Sequence, residues 1–201
     1  MKKIVFLGDS ITFASRSIYD GALGSGYAFM VACELEGKHI GEYKCINVGE
    51  NGHHILQMYS RVKRDVWNHN PDYVSILSGA NDVEVDNGSY WGVSDEMFEM
   101  TYRKLIEDTY KYLPSVKLIL IEPYRYEPIY DEQIKKKAEI VARIAKDLSI
   151  PYVKINDKLM EAIEKYPEEM VLRDKVHPAP MGARIIAEEW LKVFEENYGE
   201  N

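Results

Sequence analysis

The feature that most constrains the fold is the alternation of short, continuous apolar runs with longer helical patterns. The apolar runs predict strands at 3–7, 43–48, 73–77, 116–121 and 152–155. Helical patterns lie between and after these runs, at 27–36, 55–68, 95–112, 131–148, 157–165 and 181–196. Because most of the runs are apolar throughout instead of alternating with polar residues, we expect the strands to be covered on both faces.

This order of strands and helices predicts a parallel sheet with helices on both faces. A length of 201 residues suits one such unit, so we predict a single domain over 1–201. In parallel sheets of this kind, ligands bind beyond the carboxyl ends of the strands. Residues that carry chemistry should therefore follow directly after strands.

Charge and hydropathy exclude two classes of partner. The net charge of −8 repels phosphate backbones and anionic lipids, so we expect neither nucleic acid nor a membrane surface as a partner. The first apolar run ends at Gly8, short of the roughly 7–15 apolar residues of a signal peptide. No stretch approaches the roughly 20 apolar residues of a membrane span. These observations predict a cytoplasmic protein.

A serine follows the first predicted strand, in Gly8-Asp9-Ser10. A serine hydroxyl is a poor nucleophile unless a base takes its proton, so a nucleophilic role requires a histidine. Of the five histidines, His177 has an aspartate three positions before it, in Asp174-Lys175-Val176-His177. This spacing predicts that Asp174 orients the His177 ring toward Ser10. The alternative for Ser10 alone is a helix cap.

Donors for a developing oxyanion are the next requirement of such chemistry. Two predicted loops supply candidates, the glycine-containing loop 47–52 after the second strand and Gly79-Ala80-Asn81-Asp82 after the third. We predict that the backbone amides of Ser10 and Gly52 and the side-chain amide of Asn81 donate to one oxygen.

Taken in chain order, four blocks resemble those of the GDSL/SGNH hydrolases and span nearly the whole chain. They are Gly8-Asp9-Ser10, the loop 47–52, Gly79-Ala80-Asn81-Asp82 and Asp174-Lys175-Val176-His177-Pro178. The resemblance implies a three-layer α/β/α sandwich with a flavodoxin-like, parallel five-stranded sheet, and neither a metal nor a cofactor. One departure is the pair His53 and His54, where many relatives carry a small hydroxyl residue.

The same resemblance implies a role for each matching residue. Ser10 is the nucleophile, His177 the base and Asp174 its orienting acid, with Gly52 and Asn81 as oxyanion donors. The chain has no long apolar lid segment, which argues against a triglyceride lipase. We therefore predict a serine esterase that cleaves short-chain acyl esters through an acyl-enzyme intermediate.

A tyrosine-rich segment at 122–127 follows the fourth predicted strand and should border the site. Tyrosine rings stack well on sugars, which favours a small-molecule or carbohydrate ester, such as an O-acetyl sugar, as substrate. The side chains predicted to contact substrate are Asp9, His53, Trp91, Tyr124 and Arg125. The alternatives are a turn-fixing role for Asp9, a solvent-facing position for His53 and His54, which we favour, and ordinary packing for the aromatic residues.

Other functions stay open at this point. A lysophospholipase or thioesterase would use the same machinery, as would an acyltransferase. Outside this class, the hydroxyl-rich segment 10–15 has a weak likeness to the phosphate loop of a flavin-binding protein. A catalytically idle carbohydrate-binding protein is the third alternative. Homo-oligomers occur among similar proteins, and the sequence leaves the oligomeric state open.

Overall fold

The computed structural model describes residues 1–17, 22–83 and 92–199. Within these ranges the strands are β1 (Lys2–Gly8), β2 (Tyr43–Asn47), β3 (Tyr73–Leu77), β4 (Lys117–Ile121) and β5 (Tyr152–Val153). The helices are α1 (Ser10–Phe13), α2 (Tyr27–Lys38), α3 (Ile55–Asp65), α4 (Asp95–Tyr112), α5 (Asp131–Asp147), α6 (Asn156–Lys165), α7 (Glu168–Val171) and α8 (Pro180–Tyr198).

All pairs of neighbouring strands run parallel, in the order β2-β1-β3-β4-β5. The first strand therefore lies inside the sheet, and its carboxyl end is flanked by the ends of β2 and β3. The edge strand β5 is shorter than predicted. Its pairing stops after Val153, because the amide of Ile155 donates to the carboxylate of Glu122 at 2.8 Å.

Alternate residues of β1 enter two separate cores, one on each face of the sheet. Ile4 and Phe6 pack with α2 and α8, whereas Val5 and Leu7 pack with α3, α4 and α5. Side chains of a strand alternate between faces, so two covered faces require an uninterrupted apolar run. The predicted three-layer α/β/α sandwich is confirmed.

The last helix is fixed to the sheet by one buried aromatic side chain. Trp190 of α8 is fully buried, stacks on Phe194 with ring centroids 5.0 Å apart, and donates from Nε1 to the Ser75 hydroxyl of β3 at 2.9 Å. Pro180 occupies the first turn of α8, where its missing amide costs nothing. This anchoring holds the chain just before α8 at the carboxyl edge of the sheet.

Local differences from the predicted elements have simple causes. The predicted helix at 55–68 ends as an α-helix at Asp65 and is followed by a 3₁₀ turn over Trp67–His69. Asn70 then adopts a left-handed conformation with φ of 46°, which ends the turn. The four-residue helices α1 and α7 are too short to show a periodic pattern. Within the described residues, no helix is both long and apolar enough to cross a membrane.

Candidate active site

Ser10 lies at the point where the central strand β1 gives way to helix α1. The preceding Asp9 caps this helix, because its Oδ1 accepts the amide of Ile11 at 2.9 Å. Asp9 itself is fully buried, and burial raises the pKa of its carboxyl to about 6. A side chain buried in this way faces the protein interior, so the predicted substrate contact of Asp9 is wrong and its turn-fixing alternative describes the structure.

The side chains of Ser10, His177 and Asp174 form a hydrogen-bonded series. The Ser10 hydroxyl lies 2.8 Å from Nε2 of His177, although 167 residues separate the two along the chain. On the other side of the ring, Nδ1 lies 2.7 Å from Oδ2 of Asp174. A proton on Nδ1 leaves Nε2 free to accept the hydroxyl proton. The three groups predicted from their spacing are therefore brought together.

The turn that carries Asp174 and His177 is held by its own backbone. Asp174 Oδ1 accepts the amides of His177 at 2.8 Å and Val176 at 3.2 Å, and Lys175 between them is left-handed with φ of 67°. The amide of Arg173 donates to the carbonyl of His177 at 2.8 Å and closes the turn. The three-residue offset thus puts the side chains of Asp174 and His177 on the same side of the turn.

The charge of Asp174 follows from the same contacts. Partial burial would raise the pKa of this carboxyl, but the hydrogen bonds from the His177 amide and ring outweigh it and lower the pKa. Asp174 is consequently ionised at neutral pH. An ionised carboxylate beside Nδ1 stabilises the ring when Nε2 gains a proton.

The predicted oxyanion donors lie on neighbouring loops at this edge. The amide of Ser10 is the first of helix α1 and so has no acceptor within that helix. Gly52 is exposed and left-handed, with φ of 72°. The side-chain amide of Asn81 donates to the carbonyl of His53 at 3.3 Å, which places it beside the residue that follows Gly52.

The loop after β2 is fixed by Asn47. Its side-chain amide donates to the carbonyls of Thr12 at 2.6 Å and Leu23 at 2.7 Å, and its Oδ1 accepts the amide of Gly49 at 2.9 Å. A Cβ on Gly49 would lie 2.3 Å from the backbone nitrogen of Phe13 in α1. Close approach of two backbones therefore requires the small size of this glycine.

Arg61 of α3 is a site-supporting residue that the sequence interpretation missed. It is only 6% exposed and donates to the carbonyls of Gly8 at 3.0 Å and Val48 at 2.6 Å. Its Nε donates to Nδ1 of His53 at 3.0 Å, and its charge is balanced by Asp65 at 2.7 Å. One side chain thus links the ends of β1 and β2 to the Gly52 loop. A signal was present, because position 61 falls beside Met58 and Val62 on the apolar face of α3.

His53 and His54 are half-buried rather than solvent-facing, which corrects the favoured expectation. Burial, with the neighbouring Arg61 as a second cause, lowers the pKa of His53, and burial lowers the pKa of His54. Both rings are therefore neutral at pH 7. The nitrogen Nδ1 of His53 is occupied by Arg61, so a substrate contact by this ring would use its other nitrogen.

The remaining predicted substrate contacts fall in three different places. Tyr124 is 1% exposed and belongs to the core, so its predicted rim position is wrong. Arg125 donates to the carbonyl of Ala80 at 3.0 Å and pairs with Glu127, which makes it a brace for the loop that carries Asn81. Trp91 lies outside the described residues.

A pocket of about 300 Å³ opens beside Ser10 and His177. Its wall combines apolar side chains with polar ones. The apolar ones are Ile11, Phe13, Ala14 and Pro178, and the polar ones are Ser15, Ser25, Asn51, Arg173 and Asp174. In the described part of the chain, no group of three or more His, Cys, Asp or Glu side chains is arranged to hold a metal ion. The pocket thus offers both apolar and polar contacts to a small molecule next to a hydroxyl and an imidazole.

An α/β/α sandwich with these groups at the carboxyl edge of its sheet is typical of serine hydrolases, and comparison with known proteins assigns this one to the carboxylic ester hydrolases. The chain belongs to the GDSL-like Lipase/Acylhydrolase family, whose sequence model matches residues 6–185. It is 28% identical to an acetylxylan esterase of Geobacillus stearothermophilus. The alignment of the two sequences is 207 residues long and covers 95% of this chain and 93% of the relative.

Solved structures agree with this assignment. A catalytic mutant of the Geobacillus stearothermophilus enzyme superimposes with a TM-score of 0.88 at 26% identity, covering 100% of this chain and 97% of the other. An α/β hydrolase from the metagenome of Lake Arreo, Spain, gives a TM-score of 0.86 at 26% identity, with 96% and 94% covered.

Variants of the Geobacillus stearothermophilus enzyme mark positions in that protein. In its catalytic mutants a serine, an aspartate or a histidine is replaced by alanine, and the histidine lies three positions after the aspartate. A further mutant has isoleucine in place of the tryptophan immediately before that aspartate.

Proposed function

We propose that this protein is a serine esterase that removes acetyl groups from carbohydrate esters. The observation that carries the proposal is the 2.8 Å separation of the Ser10 hydroxyl and Nε2 of His177, with Asp174 bound to the opposite ring nitrogen. The spacing of Asp174 and His177 equals that of the aspartate and histidine altered in the catalytic mutants of the acetylxylan esterase.

In the acylation step, Ser10 Oγ attacks the ester carbonyl carbon while its proton passes to Nε2 of His177. The negative charge that develops on the carbonyl oxygen is stabilised by the Ser10 and Gly52 amides and by Asn81. When the carbon–oxygen bond to the alcohol breaks, His177 returns the proton to the departing oxygen. The product of this half-reaction is acetyl-Ser10 and a free alcohol.

Deacylation repeats these events with water. His177 removes a proton from the water as the water oxygen attacks the acetyl carbon, and the second collapse releases acetate and restores the Ser10 hydroxyl. Asp174 keeps its charge throughout and stabilises the imidazolium formed in each half-reaction. The small pocket suits a short acyl group, and its serine and asparagine side chains suit the hydroxyls of a sugar.

The test compares turnover of p-nitrophenyl acetate and of acetylated xylo-oligosaccharides by wild type and Ser10→Ala. We expect a loss of at least about a thousandfold in kcat, the scale of removing a nucleophile from such a site. Ser60→Ala, an exposed serine on α3, is the matched control and should retain wild-type turnover. Equal turnover by wild type and Ser10→Ala would end the proposal.

A further inference from the structure

We propose that Arg173 forms a subsite for a negatively charged group on the alcohol half of the substrate. The inference rests on the proposed function and adds to it a substrate class, the acyl ester of an anionic saccharide. Arg173 lines the same pocket as Ser10 and His177 and is exposed to solvent there. Its backbone is fixed, because its amide donates to the carbonyl of His177 at 2.8 Å.

The guanidinium of Arg173 is available to a ligand. Among the described residues it makes neither a hydrogen bond nor an ion pair, in contrast to the other arginines near this edge of the sheet. Arg16 pairs with Glu50 at 2.8 Å and donates to the carbonyl of Gly49, and Arg61 is buried among four acceptors. Arg173 therefore presents an uncommitted positive charge at the pocket wall.

The positive charge of Arg173 can select an anionic substrate because the protein as a whole is acidic. The chain carries a net charge of −8, so its overall charge repels an anionic substrate. A guanidinium offers paired N–H donors that match the two oxygens of a carboxylate or phosphate. Ser15, Ser25 and Asn51 on the same wall can bind neutral hydroxyls. The pocket thus offers one positively charged group, on Arg173, and several neutral polar groups to a ligand.

The relative provides a contrast at this position. In the acetylxylan esterase a tryptophan stands immediately before the aspartate altered in the catalytic mutant, whereas Arg173 stands immediately before Asp174 here. An indole ring offers a flat apolar face to a neutral sugar, and a guanidinium offers charge and donors to an anion. The two enzymes should therefore prefer different alcohol halves at the same reaction centre.

The test uses three phenyl acetates that differ in one substituent: 4-acetoxybenzoate, 4-acetoxyphenyl phosphate and the neutral 4-acetoxybenzamide. For each anionic ester, kcat/KM is divided by that of the amide, in wild type and in Arg173→Gln. We expect Arg173→Gln to lower this ratio about fivefold at low salt, the scale of one partly exposed ionic contact. The larger of the two effects identifies whether carboxylate or phosphate is the preferred group.

Lys175→Gln is the matched control, since it removes one positive charge from the same turn at a residue outside the pocket wall. Raising the salt concentration should lower the wild-type ratio toward that of Arg173→Gln. An unchanged ratio in Arg173→Gln would overturn the subsite while leaving the esterase intact. An equal fall in Lys175→Gln would also overturn it, because the effect would then come from overall charge. Absence of Ser10-dependent turnover of every ester would refute the proposed function itself.

Discussion

Nη2 of Arg61 lies 3.0 Å from the carbonyl oxygen of Gly8, two residues before Ser10, although 53 residues separate Arg61 from Gly8. The same guanidinium reaches the carbonyl of Val48 at 2.6 Å, so it fixes the ends of two adjacent strands relative to each other. Backbone carbonyls buried beside a charge are strongly held, because the hydrogen bond to a charged donor is stronger than a neutral one. The placement of Ser10 relative to the Gly52 loop depends on this contact.

We therefore expect Arg61→Met to destabilise the protein by about 3 kcal/mol and to lower kcat on p-nitrophenyl acetate by at least about tenfold. The variant removes the charged donor to two buried carbonyls and one of the two arginines that pair with Asp65. The Gly8 carbonyl keeps a weaker, neutral donor, the amide of Glu50 at 3.1 Å. Urea unfolding and steady-state kinetics measure the two effects. Arg64→Met is the control, since Arg64 also pairs with Asp65 but its side chain is 72% exposed. A similar loss in both variants would show that the ion pair, not the backbone contacts, matters.

Gly49 gives a second test of how the site is held. A Cβ there would lie 2.3 Å from the nitrogen of Phe13 and 2.7 Å from the carbonyl carbon of Thr12. Because both neighbours are backbone, α1 or the loop has to move. We expect Gly49→Ala to cost about 2 kcal/mol of unfolding free energy and to lower kcat.

Gly37→Ala is the matched control for that change. Gly37 lies in α2, and nothing is within 4 Å of the position its Cβ would occupy. Alanine favours the helix over glycine, so this variant should be stabilised by up to about 1 kcal/mol. Thermal unfolding measures the change in stability of both variants. A Gly49→Ala protein as stable as wild type would contradict the close approach of the two backbones.

Much of the fold could be predicted because the sheet is covered on both sides. A run such as 4–7 must be apolar at every position because Ile4 and Val5 enter different cores, and that pattern is visible in the sequence. The site residues that could be predicted follow strands or share a short turn, as Ser10 and Asp174 do. Both kinds of signal are local along the chain.

The features that could not be predicted depend on contacts between segments that are distant along the chain. Arg61 is a charged residue on a helix, and only the tertiary structure shows that its acceptors are the carbonyls of Gly8 and Val48. Tyr124 follows a strand, as a residue at the site should, yet its ring turns into the core. The chain after β4 is held by distant segments, because the Tyr126 amide donates to the carbonyl of Lys175 at 2.9 Å and the Tyr126 hydroxyl to that of Asn156 at 3.1 Å. The sequence of that segment does not encode these contacts.

The orienting role proposed for Asp174 predicts that Asp174→Asn lowers activity much more than stability. In Asp174→Asn, the side-chain oxygen can still accept the amide of His177, so the turn should persist. The NH2 group then takes the place of Oδ2, the oxygen 2.7 Å from Nδ1, and donates to Nδ1 instead of accepting from it. The proton of the ring is therefore favoured on Nε2, and the tautomer with Nε2 free is lost. We expect kcat to fall about a thousandfold with little change in stability.

Steady-state kinetics and urea unfolding of Asp174→Asn measure these two effects. Asp157→Asn, an exposed aspartate on α6, is the control and should behave as wild type. A loss of less than about tenfold in Asp174→Asn would contradict the orienting role.

Asp82 leads to a prediction about pH and stability. Its carboxyl is fully buried, and burial raises its pKa to about 7 even though the Ile55 amide donates to it at 2.9 Å. The folded state therefore holds this proton more tightly than the unfolded state, whose pKa is near 3.8. The contribution of Asp82 to stability is present below about pH 4 and is lost as the pH rises through about 7.

Asp82→Asn removes this titration while keeping an oxygen for the Ile55 amide. Between pH 5 and pH 8, we expect the unfolding free energy of wild type to fall by about 2 kcal/mol more than that of the variant. Urea unfolding of both proteins at the two pH values measures the difference, and titrating groups that do not interact with Asp82 cancel in the comparison. Asp9 contributes to the difference, because its charge raises the pKa of Asp82. A parallel pH dependence of the unfolding free energy in both proteins would contradict this prediction, because it would mean that Asp82 is already ionised at pH 5. The first amide of α3 would then donate to a charged carboxylate.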